Sequence, residues 1–282
     1  MSQDQSALDT KSIGLDLGLR LGRFFLETDD LHYGYWPPDL EVKVSNFARA
    51  QELYSQFVRS HFPTNIKRIL DVGSGSGHFA EALVAEGFHV DCVSPSSYLS
   101  QQIEERLPSD SQVFKTTFEE LETGKQYDLV LFCESFQYVS CRLAIEKCVK
   151  LLKPGGYLLI CDFFKKEVGT KSPLGGGQKL STFLEIMETT PFVNRKQIDL
   201  TAETAPTMDI MDQFINEVAD PIRTVSSQYL DARYPRLMKV LRWKFAKRIK
   251  KLNRVYFSGQ LNREMFKKFK VYQLFLYQLL EG

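Results

Sequence analysis

Three glycines at alternate positions, Gly73, Gly75 and Gly77, follow an acidic residue, Asp71, and an apolar run of Ile69, Leu70 and Val72. A helical pattern of Phe79, Leu83 and Val84 begins directly after them. A strand, a glycine-rich turn and a helix start in succession can hold a ligand. Glycine lets the backbone approach closely, and the first turn of a helix leaves N–H groups unpaired. By itself the string fits an ordinary βα turn or part of a nicotinamide-binding site. The dinucleotide fingerprint is Gly-x-Gly-x-x-Gly, and here the third glycine comes one position too early. A second cluster precedes the loop: Leu31-His32-Tyr33-Gly34-Tyr35-Trp36-Pro37-Pro38. It is too aromatic for a solvated loop, and its prolines end any regular element. Two readings stand, a buried plug or a flap over the ligand. Cys133 ends another apolar run, a setting that raises a thiol's pKa and argues against a reactive thiolate.

These residues need elements to position them. The 282 residues suffice for one large domain, or one domain with a substantial insertion. Hydrophobic residues at 43% and charged residues at 25% suit a soluble globule, and a net charge of +1 gives no general pull toward nucleic acid. The five cysteines form no Cys-x-x-Cys pair, as expected of thiols in a reducing compartment. The chain starts polar and acidic, without a secretory signal, and no apolar run approaches the ~20 residues that span a bilayer. A cytoplasmic protein is expected. Periodicity predicts helices over 13–27 and 44–61, with residues 1–12 loose. Strands follow at 69–72, 88–93, 113–116, 127–133, 157–163, 192–200 and 270–277, with helices at 79–86, 98–107, 143–152 and 174–187 among them. Such alternation predicts an α/β fold with a doubly wound parallel sheet, whose ligands sit outside the carboxyl ends of the strands.

The stretch from Ile69 to Phe79, with Asp71 leading the glycines, resembles motif I of the class I S-adenosylmethionine (SAM) methyltransferases. The segment His32 to Tyr35 is similar to the His-x-Gly-aromatic segment of the small-molecule branch, which includes tocopherol, sarcosine and cyclopropane-lipid methyltransferases. The resemblance covers roughly residues 30–165. It implies a Rossmann-like, seven-stranded sheet whose last strand is antiparallel. On it the chain divides into an N-terminal helix and aromatic flap (1–45), a SAM-binding core (46–202), a helical lid (203–266) and a final strand (267–282). It also implies roles. Asp71 orders the loop, while Gly73, Ser74, Gly75 and Gly77 approach the methionine part of SAM. Ser94 stands where the family usually places an acidic residue for the ribose, a departure that puts ribose binding in doubt; a helix cap at Ser96 or Ser97 is compatible with it. Thr117, Phe118 and Glu119 fall at the adenine, with Phe118 stacking or donating its amide and Glu119 accepting from the amino group. The Cys133 carbonyl accepts from the methionine amine, and Tyr33 packs against the sulfonium by a cation–π contact. Glu134 to Val139 matches the segment after the fourth strand, with Gln137 or Tyr138 facing the substrate. The family's histidine is missing there, which leaves His32 as the candidate base, needed only where the nucleophile carries a proton of high pKa. No metal is expected.

Two stretches lie beyond the resemblance. Leu174 to Lys179, with glycines at 175, 176 and 177, is either a flexible joint or a pocket rim with Gln178 inward. Between Arg233 and Arg254 stand ten Lys or Arg and no Asp or Glu, with Leu237, Val240 or Leu241, Phe245, Ile249 and Leu252 at helical spacing. This is an amphipathic basic helix. It is read as a lid helix with a solvated face, or as a dock for an anionic membrane surface or an acidic carrier protein. The expected activity is transfer of a methyl group from SAM to a small, hydrophobic or lipid- or acyl-like acceptor. The alternatives are a methyltransferase-like scaffold subunit that has lost turnover, which Ser94 keeps open, and an RNA methyltransferase. The Asn/Asp-Pro-Pro-Tyr and catalytic Cys motifs of the latter are missing, so no nucleic-acid partner is expected.

Overall fold

The computed structural model describes residues 10–170 and 172–280, so most of the start expected to be loose lies outside the described residues. Eight strands make one sheet: β1 Arg68–Val72, β2 His89–Val93, β3 Val113–Phe114, β4 Tyr127–Cys133, β5 Leu152–Lys165, β6 Gln178–Lys179, β7 Phe192–Asp199 and β8 Lys270–Leu279. Their order is β3-β2-β1-β4-β5-β8-β7, with β6 paired to β5. β1 to β5 pair in parallel, and β8 runs antiparallel to both β5 and β7. The helices are α1 Thr10–Leu21, α2 Phe47–Arg59, α3 His78–Ala85, α4 Ser97–Arg106, α5 Cys141–Leu151 and α6 Leu180–Glu188. Between β7 and β8 come α7 Thr201–Thr204, α8 Thr207–Phe214, α9 Asp220–Arg233, α10 Pro235–Lys244, α11 Ala246–Tyr256 and α12 Arg263–Phe269. This is the doubly wound α/β sheet that the alternating pattern leads one to expect.

Successive strand residues face opposite sides of the sheet. Ile69, Leu129, Leu131, Leu159 and Leu274 pack on one face with Tyr54, Leu83 and Ile103. Leu70, Val130, Phe132, Ile160 and Phe275 pack on the other with Phe136, Ile145 and Phe183. Both faces are covered, which is why the central strands read as nearly continuous apolar runs. The chain winds outward from β1 through β2 to β3, then returns to β4 on β1's other side. The reversal between β1 and β4 is where a doubly wound sheet opens a crevice at its strand ends.

Four elements differ from the sequence pattern. The helix expected over 13–27 ends at Leu21, becomes one π-helical turn at Gly22–Leu26 and stops at Glu27, a left-handed residue with φ +51°. The helix expected from Leu174 starts at Leu180. Gly176 and Gly177 hold positive φ, and Gln178 and Lys179 pair with Phe164 and Lys165 at the end of β5. Strand β5 begins at Leu152, five residues before the apolar run. The single basic helix is two helices, α10 and α11, which break at Phe245.

Candidate functional site

The three loop glycines do three different jobs. At Gly73 (φ +77°) a Cβ would lie 2.4 Å from the Ser135 Cβ, so this glycine admits the β4 tip. At Gly77 (φ +84°), ahead of α3, a Cβ would lie 3.1 Å from the Ile103 Cα of α4. Around Gly75 (φ +56°) the nearest atom is the Leu31 Cδ1 at 3.9 Å. Gly73 and Gly77 thus turn their side-chain positions toward protein, while at Gly75 that position meets only Leu31 of the segment lying over the loop. The loop is pinned from below. The Ser74 hydroxyl donates to the Asp71 carbonyl at 2.9 Å, and the Ser135 hydroxyl donates to the Val72 carbonyl. Asp71 is buried, and burial lifts its carboxyl to about 7. Gly77 gives α3 no side-chain cap; the His78 N–H donates to the Ser76 hydroxyl at 3.4 Å, and the Phe79 and Ala80 amides of the first turn make no hydrogen bond among the described residues.

Ser94 directly follows β2, with its N–H donating to the Phe114 carbonyl and its own carbonyl accepting from the Ser100 hydroxyl. Its hydroxyl makes no hydrogen bond among the described residues. The cap expected at Ser96 or Ser97 is at Ser96, whose Oγ accepts from the Leu99 N–H at 3.2 Å. Beyond β3 the adenine expectations are corrected at two side chains. The Phe118 ring is buried edge-on against Phe132, in the core and not in the crevice. The Glu119 Oε1 accepts from the Ser140 N–H at 2.7 Å at the head of α5, so that oxygen is committed there; Phe118 can offer backbone only, while Thr117 is exposed and keeps its hydroxyl.

Residues 28–36 form a strap across this region, fastened at nearly every position. Asp29 pairs with Arg106 of α4 at 2.7 Å and with Arg23. Asp30 contacts His78 of α3 at 3.0 Å, and its carboxyl is half of a pair with His32 at 3.6 Å. The Gln51 amide donates to the His32 carbonyl at 2.5 Å. The N–H groups of Tyr33, Gly34, Tyr35 and Trp36 go to Glu134, Thr207, Ala50 and Glu203 respectively. Leu31 therefore lies over Gly75 because the residues on both sides of it are tied down. Two surface hollows, about 230 Å³ beside Leu107 and Val113 and about 320 Å³ beside Trp36 and Arg263, lie outside this covered crevice.

At the tip of β4 stands Glu134, the group that the sequence reading passed over. Its backbone is left-handed (φ +55°), a strained conformation for a residue other than glycine. Its Oε1 accepts from the Tyr33 N–H and from the Tyr272 hydroxyl, both at 2.7 Å. Its Oε2 makes no hydrogen bond among the described residues. Burial lifts the carboxyl to about 7, against the opposing pull of His32 and Tyr272. The Tyr272 hydroxyl also meets Tyr54 at 2.9 Å. The rings of Tyr33, Phe163, Phe266 and Tyr272 gather here, with centroids 5.8 to 6.0 Å apart. Tyr33 thus packs among aromatic rings, and its phenol donates to the Met208 sulfur at 3.3 Å.

His32 does not fit the role of base. Its Nδ1 lies 2.8 Å from the Tyr33 carbonyl, its Nε2 3.2 Å from the Ser55 hydroxyl, and its ring stacks on Tyr54. Burial would lower its pKa, but Asp30 overrides this and holds the imidazole above its ordinary value. With both ring nitrogens held by protein oxygens, the imidazole has neither nitrogen turned to an acceptor. Gln137 is fixed by Asp162, which accepts from its N–H at 2.9 Å, and its Oε1 abuts Gly176. Tyr138 is exposed at the rim. Cys133 pairs in register with Cys161, and burial pushes its thiol up, as expected of an unreactive one. Gln178 turns to the Val139 carbonyl at 2.7 Å, tying the glycine segment to the β4 side. Two buried groups lacked a motif: Asp162, interrupting the apolar run of β5, and Lys270 at the start of β8. The Lys270 Nζ donates to the Gly175 and Gly176 carbonyls at 2.8 and 2.5 Å. An ionisable residue inside an apolar strand was the available signal for Asp162; Lys270 has none.

Comparison with known proteins agrees with this geometry. The family model described as a methyltransferase domain matches residues 45–199. An uncharacterized methyltransferase of Mycobacterium tuberculosis is 26% identical over 150 residues, which are 51% of this chain and 62% of that protein. The chain thus spans less than two thirds of the length of that relative. A cyclopropane synthase of the same organism shares the fold with a TM-score of 0.68 at 15% identity, covering 94% of this chain and 95% of that one. The cyclase SpnF does so with a TM-score of 0.64 at 18% identity, covering 95% and 96%. With the family model over more than half of the residues, including the glycine loop and the β4 tip, the chain belongs to the methyltransferase-domain family.

Proposed function

We propose that the protein is a SAM-dependent methyltransferase acting on a small, hydrophobic or acyl-like acceptor, with Glu134 as the group that takes up the acceptor's proton. The observation that carries this reading is the cradle at Gly75, the one loop glycine at which a Cβ would meet only the tip of Leu31, at 3.9 Å, and not the body of a neighbouring element. The residues present fit the cofactor. The backbone at Gly75, the start of α3 and the Cys133 carbonyl would hold its methionine part. The unpaired Ser94 hydroxyl would meet the ribose, and the backbone at Thr117 and Phe118 the adenine. SAM, when bound, supplies a methyl group activated by a sulfonium. The protein's share is then alignment and exclusion of water.

The strap does the excluding, since its hydrogen bonds hold Leu31 and Tyr33 over the strand ends. The four rings around Tyr33 offer an apolar wall suited to a hydrophobic acceptor. Glu134 sits at that wall with one oxygen fixed and the other available. A carboxyl near 7 accepts a proton at neutral pH while remaining able to release it. The cyclase and the cyclopropane synthase share this fold, so the fold alone does not select the reaction; family membership together with the cradle favours methyl transfer.

The test supplies SAM carrying a labelled methyl group and a small-molecule extract, and follows label into organic-extractable product. The wild-type protein is expected to form product, and Glu134→Gln to lose roughly 10²-fold in kcat with little change in KM. Bound SAM without labelled product at any acceptor concentration would contradict the activity; full turnover by Glu134→Gln would remove the carboxyl from the mechanism and leave the activity standing.

A further inference from the structure

The helices between β7 and β8 carry an exposed surface that the site does not use. In α9 Ile222, Val225 and Tyr229, at positions i, i+3 and i+7, are 61 to 66% exposed. In α10 the exposed series is Leu237, Val240 and Trp243, with Trp243 at 81%; in α11 it is Ile249, Leu252 and Tyr256. None of these three helices has a buried residue. They are not loose pieces. Arg242 of α10 reaches Ser227 and Asp231 of α9 at 2.7 and 2.5 Å, and Arg223 of α9 reaches Asn253 of α11 at 3.0 Å. Ordered helices that each keep an apolar stripe in water are unusual in a protein with nothing to dock on.

The charge on α10 and α11 says what covers them. Ten Lys or Arg lie between Arg233 and Arg254, with no acidic residue. Of these, among the described residues, only Arg242 forms an ion pair. Arg236 and Lys244 flank the Leu237–Val240–Trp243 stripe on the helix, where long cationic side chains can reach past inserted apolar groups to a charged plane. We propose that α10 and α11 dock the protein onto an anionic lipid surface, with Trp243 and its apolar neighbours entering the interface and the lysines and arginines meeting lipid headgroups. Apolar insertion and attraction to anionic headgroups are the two components by which amphipathic basic helices bind membranes. No helix among the described residues is long and apolar enough to cross a membrane, so the contact is one-sided.

The sequence supplies its own probe, because the chain has two tryptophans. Trp36 is 4% exposed and donates to the Thr207 hydroxyl, so its emission is insulated from solvent, whereas Trp243 is open. Full-length protein is titrated with vesicles of phosphatidylcholine alone and with vesicles that also contain phosphatidylglycerol. The expected result is a blue shift and co-sedimentation with the anionic vesicles only, weakened as salt is raised. Lys247→Glu with Lys251→Glu is expected to lower partitioning by at least roughly tenfold. Trp243→Phe is expected to lose the blue shift while still sedimenting. These residues lie away from Gly75 and Glu134 and the readout needs no turnover, so the result is independent of the proposed activity. Unchanged emission and no sedimentation with anionic vesicles overturn the proposal, and so does binding only to an acidic protein. Equal binding to both kinds of vesicle overturns the electrostatic part.

Discussion

Glu134 and Gly75 hold opposite sides of the proposed chemistry, one a proton acceptor and one a space. Because burial raises the Glu134 carboxyl from 4.5 to about 7, the base form appears only as pH rises through that value. A profile of kcat/KM against pH is therefore expected to climb with a limb near 7, and a limb near 4.5 would contradict the assignment. Gly73 makes a different prediction. A methyl group there would overlap Ser135 and impose a left-handed backbone on alanine. Gly73→Ala is expected to cost about 2–4 kcal/mol of stability, seen as a lower melting temperature, by addition of backbone and overpacking costs. The alternating glycines announce a ligand loop, but not that two of the three accommodate neighbouring elements. Likewise the sequence picks out Glu134–Val139 as the reactive segment, yet its residue types point to Gln137 and Tyr138. What moves the role to Glu134 is a left-handed turn and two partners 101 and 138 residues away in the chain. Residue order does not encode such contacts visibly.

The strap of residues 28–36 is the element on which closure rests. Asp30 lies well below its ordinary 3.8: burial would raise it, but His32 and His78 prevail. Its contribution is complete above 3.8 and disappears as pH falls through the depressed value. His32 and His78 lie above their ordinary 6.5, His78 chiefly through its hydrogen bond to Asp30. Their contributions are complete below 6.5 and disappear as pH rises through the raised values. The strap is thus fastened most firmly between about 3.8 and 6.5 and loosens on the alkaline side. Hydrogen exchange of the Tyr33 and Gly34 amides, corrected for intrinsic rates, is expected to speed up as pH rises past that window. Asp30→Asn should abolish the dependence, and a flat profile in the wild-type protein would contradict it. The aromatic density of residues 31–38 marks this segment in the sequence. The carboxylates at 29 and 30 that tie it to α3 and α4 belong to no motif, and only the folded chain shows their partners.

For the whole molecule, the central feature is that β8 lies inside the sheet, between β5 and β7, although it is the last strand in sequence. It brings Tyr272 to Glu134 and Lys270 to the glycine segment at 175–177. A chain truncated after Phe269 would expose the inner edges of both β5 and β7. It is expected to aggregate on size-exclusion chromatography, because unpaired strand edges recruit other chains; a monodisperse truncated monomer would contradict the placement of β8. The sheet was legible because buried parallel strands leave apolar runs and helices alternate with them. The two-residue β6 was not, since Gln178 and Lys179 are polar and follow three glycines, with no apolar residue such as those of the equally short β3 to mark them. The break between α10 and α11 was hidden because the apolar spacing continues through Phe245.

The reading stands on whether the space beside Gly75 receives SAM. Gly87 offers a matched control: its φ is +92°, with nothing within 4 Å of a Cβ, and it lies before β2, away from the crevice. Isothermal titration of SAM into wild-type protein, Gly75→Val and Gly87→Val separates backbone strain from ligand exclusion. The prediction is saturable binding by wild type and Gly87→Val, and none by a Gly75→Val protein that is still folded. Undiminished binding by Gly75→Val, or no heat from the wild-type protein, would contradict the placement of the cofactor and the proposed activity with it.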